Sequence, residues 1–129
     1  MKILIADDSP AERSLLAQAL EGLGHEILLA EDGEEAERRF YEERPALLIL
    51  DVIMPKRNGY QICRAIKSRA EFLNIPIIMV SARNQESDRY WGLKQGADEY
   101  LSKPFDLTVL REKVRSFLPY DPPRAPLHL

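Results

Sequence analysis

Three unbroken apolar tetrads, Ile3-Leu4-Ile5-Ala6, Leu47-Leu48-Ile49-Leu50 and Ile77-Ile78-Met79-Val80, each end abruptly on a polar side chain. A strand without polar alternation has both faces covered, the pattern of a parallel sheet with helices packed on either side. Between the tetrads the period changes. After Ser9-Pro10, an N-cap followed by proline at the first helical position, Leu15, Leu16, Ala19, Leu20 and Leu23 recur at helical spacing until Gly22 and Gly24 stop the run. Ile27-Leu28-Leu29-Ala30 predicts a second strand, Asp32-Gly33 a turn, and 34–43 a charged helix with Ala36, Phe40 and Tyr41 turned inward. The acidic run Glu34, Glu35, Glu37 reads as its solvated face.

Met54-Pro55 and Asn58-Gly59 form a loop before a helix over 60–69, and 86–95 is a helix stopped by Gly96. Tyr100-Leu101-Ser102 is a short fifth strand broken by Lys103-Pro104, and Asp106 caps a last helix whose Leu110, Val114 and Phe117 share one face. Five strands alternating with five helices through short connections predict an α/β fold, a doubly wound five-stranded parallel sheet with helices on both sides. At 129 residues one domain is expected, over 1–118, because 119–129 holds four of the nine prolines without periodicity and reads as a tail or the start of a linker.

Composition narrows the function classes. Hydrophobic residues at 45% and charged residues at 30% support a packed core, while a net charge of -3 argues against a surface built to bind nucleic acid or anionic lipid. The single Cys63 and the distant His25 and His128 supply neither a disulfide nor a zinc cluster. The N-terminal apolar run is too short for a signal peptide or membrane span, so a soluble, cytoplasmic protein is expected.

In such sheets ligands bind beyond the carboxyl ends of the strands. The residues there are Asp7 and Asp8 after the first strand, Asp51 after the third, Ser81 after the fourth and Lys103 after the fifth. Three clustered carboxylates repel one another unless a cation neutralises them, and all-oxygen ligation suits Mg2+. A hydroxyl and an ammonium nearby suit the oxygens of a phosphoryl group. Asp7 or Ser81 alone reads as a helix cap, but Asp51 has no helix to cap before Gly59, which leaves its carboxylate free to attack phosphorus and form an acyl phosphate.

At these residues the chain resembles the response-regulator receiver domains, the CheY-like family, over essentially residues 2 to 118. The paired acids stand as Asp7-Asp8, the acceptor motif as Asp51-Val52-Ile53-Met54-Pro55 with Asn58-Gly59, the hydroxyl as Ser81-Ala82, and the terminal motif as Tyr100-Leu101-Ser102-Lys103-Pro104-Phe105. The resemblance implies a flavodoxin-like sheet of order 2-1-3-4-5. It also implies a phosphoryl group passed to Asp51 from a histidine kinase or phosphotransfer protein, with Mg2+ on Asp8, Asp51 and the Ile53 carbonyl and Asp7 helping through water. Ser81, the Ala82 backbone and Lys103 would contact the phosphoryl oxygens, and Lys103-Pro104 would be a cis peptide. Ser81 and Tyr100 would switch position together and reshape the face of the fourth helix, fifth strand and fifth helix for a downstream protein. Such a protein is no enzyme in the ordinary sense, assists only its own phosphorylation and dephosphorylation, and is a monomer or a weak phosphorylation-dependent dimer.

Within the family, the stretch from Gln85 to Ala97 is similar to stand-alone regulators of twitching-motility (type IV pilus) chemotaxis-like systems. There Tyr90 and Leu93 share the expected core face, with Trp91 at its flank as a partner anchor or a residue half buried between helices. Ile53 and Arg83 occupy the positions that tune hydrolysis in receivers; an apolar Ile53 and an Arg83 able to reach over the phosphate predict slow or intermediate self-dephosphorylation. Two rivals fare poorly: the three acids would repel a flavin phosphate, and a haloacid-dehalogenase-like phosphatase needs an acid where Ile53 stands. A receiver portion of a longer signalling protein, or a scaffold that works without phosphorylation, remain alternatives.

Overall fold

The computed structural model describes residues 1–118, so the predicted tail over 119–129 lies outside them. The elements run β1 (Lys2–Ala6), α1 (Pro10–Ala19), β2 (Glu26–Ala30), α2 (Gly33–Glu43), β3 (Leu47–Asp51), α3 (Gly59–Lys67), β4 (Ile77–Ser81), α4 (Glu86–Lys94), β5 (Glu99–Ser102) and α5 (Leu107–Phe117). All strands are parallel in the order β2-β1-β3-β4-β5, as expected. The tetrads of β1, β3 and β4 are wholly buried because alternate residues feed two cores. Leu4, Leu48, Leu50 and Met79 pack with Phe40, Ile62 and Ile66 on one face. Ile3, Ile5, Ile49 and Val80 pack with Leu16, Leu20, Leu110 and Val114 on the other.

Local chemistry sets the helix starts. The Ser9 hydroxyl accepts from the Glu12 N–H at 3.3 Å, and Asp106 accepts from the Thr108 N–H at 2.8 Å. Asp32 and Asn58 are caps too, so Gly33 and Gly59 open helices rather than sitting in turns. A Cβ on Gly59 would come 2.4 Å from the Asp51 carbonyl oxygen, so only glycine lets α3 start this close to the end of β3.

Several expectations need correction. Leu15 is 41% exposed, since a single residue turns a helix by about 100° and Leu16 holds the inward position. Helix α3 ends at Lys67, and a short 3-10 turn, Ala70–Phe72, follows it and sets Phe72 edge-on against Phe40 at 5.1 Å. The acidic run of α2 is more than a solvated face. Glu37 holds Arg57 at 2.6 Å, while Lys56 reaches Glu34 at 3.6 Å and Asp32 at 3.4 Å, fastening the loop after β3. Helix α4 is rotated away from its expected seat: Tyr90 is 63% and Leu93 38% exposed, and Gly92 is the residue that touches the sheet. The Tyr100 ring and the Met79 sulfur already fill the space, so a Cβ at Gly92 would meet them at 2.8 and 3.0 Å.

Candidate functional site

Because β1, β3, β4 and β5 are parallel and in register, with Asp51 opposite Val80 and Ser81 opposite Ser102, their carboxyl ends form one edge. Asp7 follows β1 and is buried; one of its oxygens accepts from the Ser9 N–H at 3.0 Å and the other from the Lys103 ammonium at 2.9 Å. Asp51 closes β3, accepts from the Ile53 N–H at 3.3 Å, and lies 3.5 Å from Lys103. Asp8 is exposed at the mouth. One carboxylate oxygen from each of Asp7, Asp8 and Asp51 lies within 4.8 Å of the others. Glu12, on the first turn of α1, adds a fourth acid 4.0 Å from Lys103, which no motif in the sequence signalled.

One ammonium, that of Lys103, lies within 4.0 Å of Asp7, Glu12 and Asp51. Burial first, and then the Asp7 and Asp8 charges, push the Asp51 carboxyl from 3.8 up to about 6, against the opposing pull of Lys103 and the Ile53 N–H. Burial works against charge on Lys103, but its hydrogen bond to Asp7 and the charges of Asp51, Asp7 and Glu12 outweigh it, and its pKa lies above the usual lysine value. The excess negative charge, the oxygen-only donors and their spacing fit a hard divalent cation such as Mg2+. Lys103-Pro104 is cis, and the Lys103 N–H donates to the Ser81 carbonyl at 2.7 Å.

The hydroxyl of buried Ser81 accepts from the Arg83 N–H at 3.2 Å, ordering the start of the β4–α4 loop, and Ala82 follows it at the surface. Tyr100 is turned inward and is 2% exposed; its hydroxyl donates to the Arg83 carbonyl at 2.9 Å, tying β5 to the same loop. Tyr60, which the sequence did not single out, completes this layer by donating to the Asp88 carbonyl at 3.4 Å. Burial, with Tyr100 and Asp88 nearby, pushes its hydroxyl up to about 12. The Arg83 side chain lies 3.8 Å from Asp88 of α4. With Ile53, Tyr60, Val52, Met54 and Asn58 it lines a cleft of about 310 Å³ beside the end of β3. Cys63 is a core residue whose thiol burial pushes up to about 12, which makes it a poor nucleophile.

A doubly wound sheet whose carboxyl edge carries clustered acids, a buried hydroxyl and a paired lysine defines the receiver class. The chain belongs to the response regulator receiver domain family, whose model matches residues 3–115. Protein PilH of Pseudomonas aeruginosa is 40% identical over 117 residues, covering 91% of this chain and 97% of that protein. The ycf27 transcriptional regulator of Cyanophora paradoxa is 43% identical over 117 residues, but this chain spans only 48% of its length. A response regulator crystal structure from Chloroflexus aurantiacus superposes with a TM-score of 0.86 at 34% identity, over 92% of this chain and 98% of that one.

Proposed function

We propose that Asp51 is the phosphoacceptor of a two-component relay and takes its phosphoryl group from the phosphohistidine of a histidine kinase or phosphotransfer protein. The observation that carries this is the Asp51 carboxylate at the end of β3, 3.5 Å from Lys103 and within 4.8 Å of oxygens of Asp7 and Asp8. An Asp51 oxygen attacks phosphorus, the phosphorus–nitrogen bond breaks, and the imidazole nitrogen leaves with the electron pair and takes a proton. Asp8, Asp51 and the Ile53 carbonyl would hold Mg2+, with Asp7 acting through water; when bound, the ion offsets the charge of the carboxylate and the phosphoryl oxygens. Lys103, the Ser81 hydroxyl and the Ala82 N–H receive those oxygens. The chemistry ends on the protein's own side chain.

Tyr100 carries the state outward. Its bond to the Arg83 carbonyl couples it to the loop that begins at Ser81, and Arg89 of α4 donates to the Tyr100 carbonyl at 2.9 Å. A shift of Ser81 toward a phosphoryl group therefore acts on the α4-β5-α5 face, where a downstream protein reads it. Apolar Ile53 at the cleft supports slow or intermediate loss of the phosphoryl group. The near end-to-end match with PilH and the similarity over residues 85–97 support a cytoplasmic regulator of the twitching-motility type, with 1–118 as the receiver. Intact mass after incubation with acetyl phosphate and Mg2+ tests the reading: a gain of about 80 Da in the native chain and none in Asp51→Asn is expected. A gain in both, or in neither, overturns it.

A further inference from the structure

We infer that the groove between α3 and α4 is a second docking surface, distinct from the α4-β5-α5 face, and that it takes an acidic protein segment bearing an aromatic or bulky apolar anchor. Helix α4 seats on the sheet through Gly92, so its large side chains flank that contact and stay outside: Trp91 is 50% exposed. Trp91 lines a groove of about 290 Å³ with Arg64 of α3 and with Lys94 and Gln95 at the end of α4. Leu93 and Arg89 lie on the opposite flank of α4, where Arg89 reaches the carbonyl of Tyr100 and lies 3.6 Å from Glu99, so the groove does not share the β5 side.

The charge pattern selects the occupant. Most lysines and arginines of this acidic chain have a carboxylate within 4.0 Å. Among the described residues five have none: Arg39 and Arg111 bond backbone carbonyls instead, Arg115 stands on α5, and Arg64 and Lys94 border one groove, with the Lys94 ammonium 5.8 Å over the Tyr90 ring. An exposed tryptophan between two uncompensated cations matches an apolar anchor flanked by carboxylates, which arginine receives in bidentate fashion. Helices that return between parallel strands run against them, so the C-terminal halves of α3 and α4 lie at the end of the domain away from Asp51. The groove therefore lies away from the edge that carries Asp51.

The test is a nitrogen-15 NMR titration of the full chain with synthetic peptides, one rich in Glu and Asp around a central Phe, one with lysines in place of the acids, and one with the Phe replaced by Ser. Saturable binding of the acidic Phe peptide is expected, with shifts centred on Arg64, Trp91, Lys94 and Gln95, equal in the native chain and in Asp51→Asn. The doubly reversed Arg64→Glu, Lys94→Glu chain should bind it at least about tenfold more weakly while keeping native circular dichroism. Arg115→Glu on α5, another cation without a carboxylate partner among the described residues, is the control and should bind normally. Three results overturn the proposal: no saturable binding of the acidic peptide, equal binding of the lysine or serine peptide, or shifts at these residues that grow with protein concentration alone and so mark a second copy as the occupant. Phosphate uptake at Asp51 is scored separately, which keeps a failure here apart from a failure of the receiver reading.

Discussion

Replacing Asp51 with Asn should stabilise the metal-free protein. The Asp51 carboxyl titrates at about 6 in the fold against 3.8 when free, so the folded state binds the proton more tightly. Stability therefore falls as pH rises from about 4 to about 6, and above that the penalty of holding the bare carboxylate beside Asp7 is fully present. At about 1.4 kcal/mol per pH unit the displacement corresponds to at most about 3 kcal/mol, and water at the open mouth near Asp8 reduces it to about 1–2 kcal/mol. Asn keeps an oxygen for the Ile53 N–H and removes the charge. Urea denaturation in a chelator near pH 7 should move the midpoint upward by about 0.5–1 M, with the gap closing toward pH 4. Added Mg2+ should favour the native chain and shrink or reverse the difference, because the ion binds the folded acids. An Asp51→Asn chain that is equally or less stable in chelator near pH 7 would refute the reasoning.

The same carboxyl makes Mg2+ binding pH dependent: below about pH 6 protons compete, and affinity should fall by up to about tenfold per unit, whereas calorimetry showing constant affinity from pH 7 to about 5 would contradict it. Lys103→Met leaves buried Asp7 without its ammonium partner and should cost about 2–4 kcal/mol near pH 7 in urea unfolding; a loss under about 0.5 kcal/mol would count against the pairing. Gly92→Ala puts a methyl 2.8 Å from the Tyr100 ring, so it should cost about 1–3 kcal/mol or drive that ring outward. Coupling to Tyr100→Ala in a double-mutant cycle should be at least about 1 kcal/mol, and additive effects would show that the two do not touch.

The tetrads made the sheet legible, since four consecutive apolar residues in each of β1, β3 and β4 admit only a two-sided core. The acids at their ends were legible for the same reason: a short strand fixes where its last residue lies. What stayed hidden came from contacts between distant elements. Glu12 approaches Lys103 only once α1 folds back along β1, and Tyr60 meets the Tyr100 layer only across α3 and α4. The seat of α4 was misread because amphipathic spacing weighs Tyr90 and Leu93 as core, whereas Tyr100 had already taken that volume and left room for a glycine alone.

The decisive experiment asks whether Asp51 itself carries the phosphoryl group. Borohydride reduction converts an aspartyl acyl phosphate to homoserine, so peptide mapping of the chain after phosphorylation in Mg2+ reads the acceptor directly. Homoserine at position 51 alone is the expected result; modification at Asp7 or Asp8, or a stable ester on Ser81 with position 51 unchanged, would contradict the account.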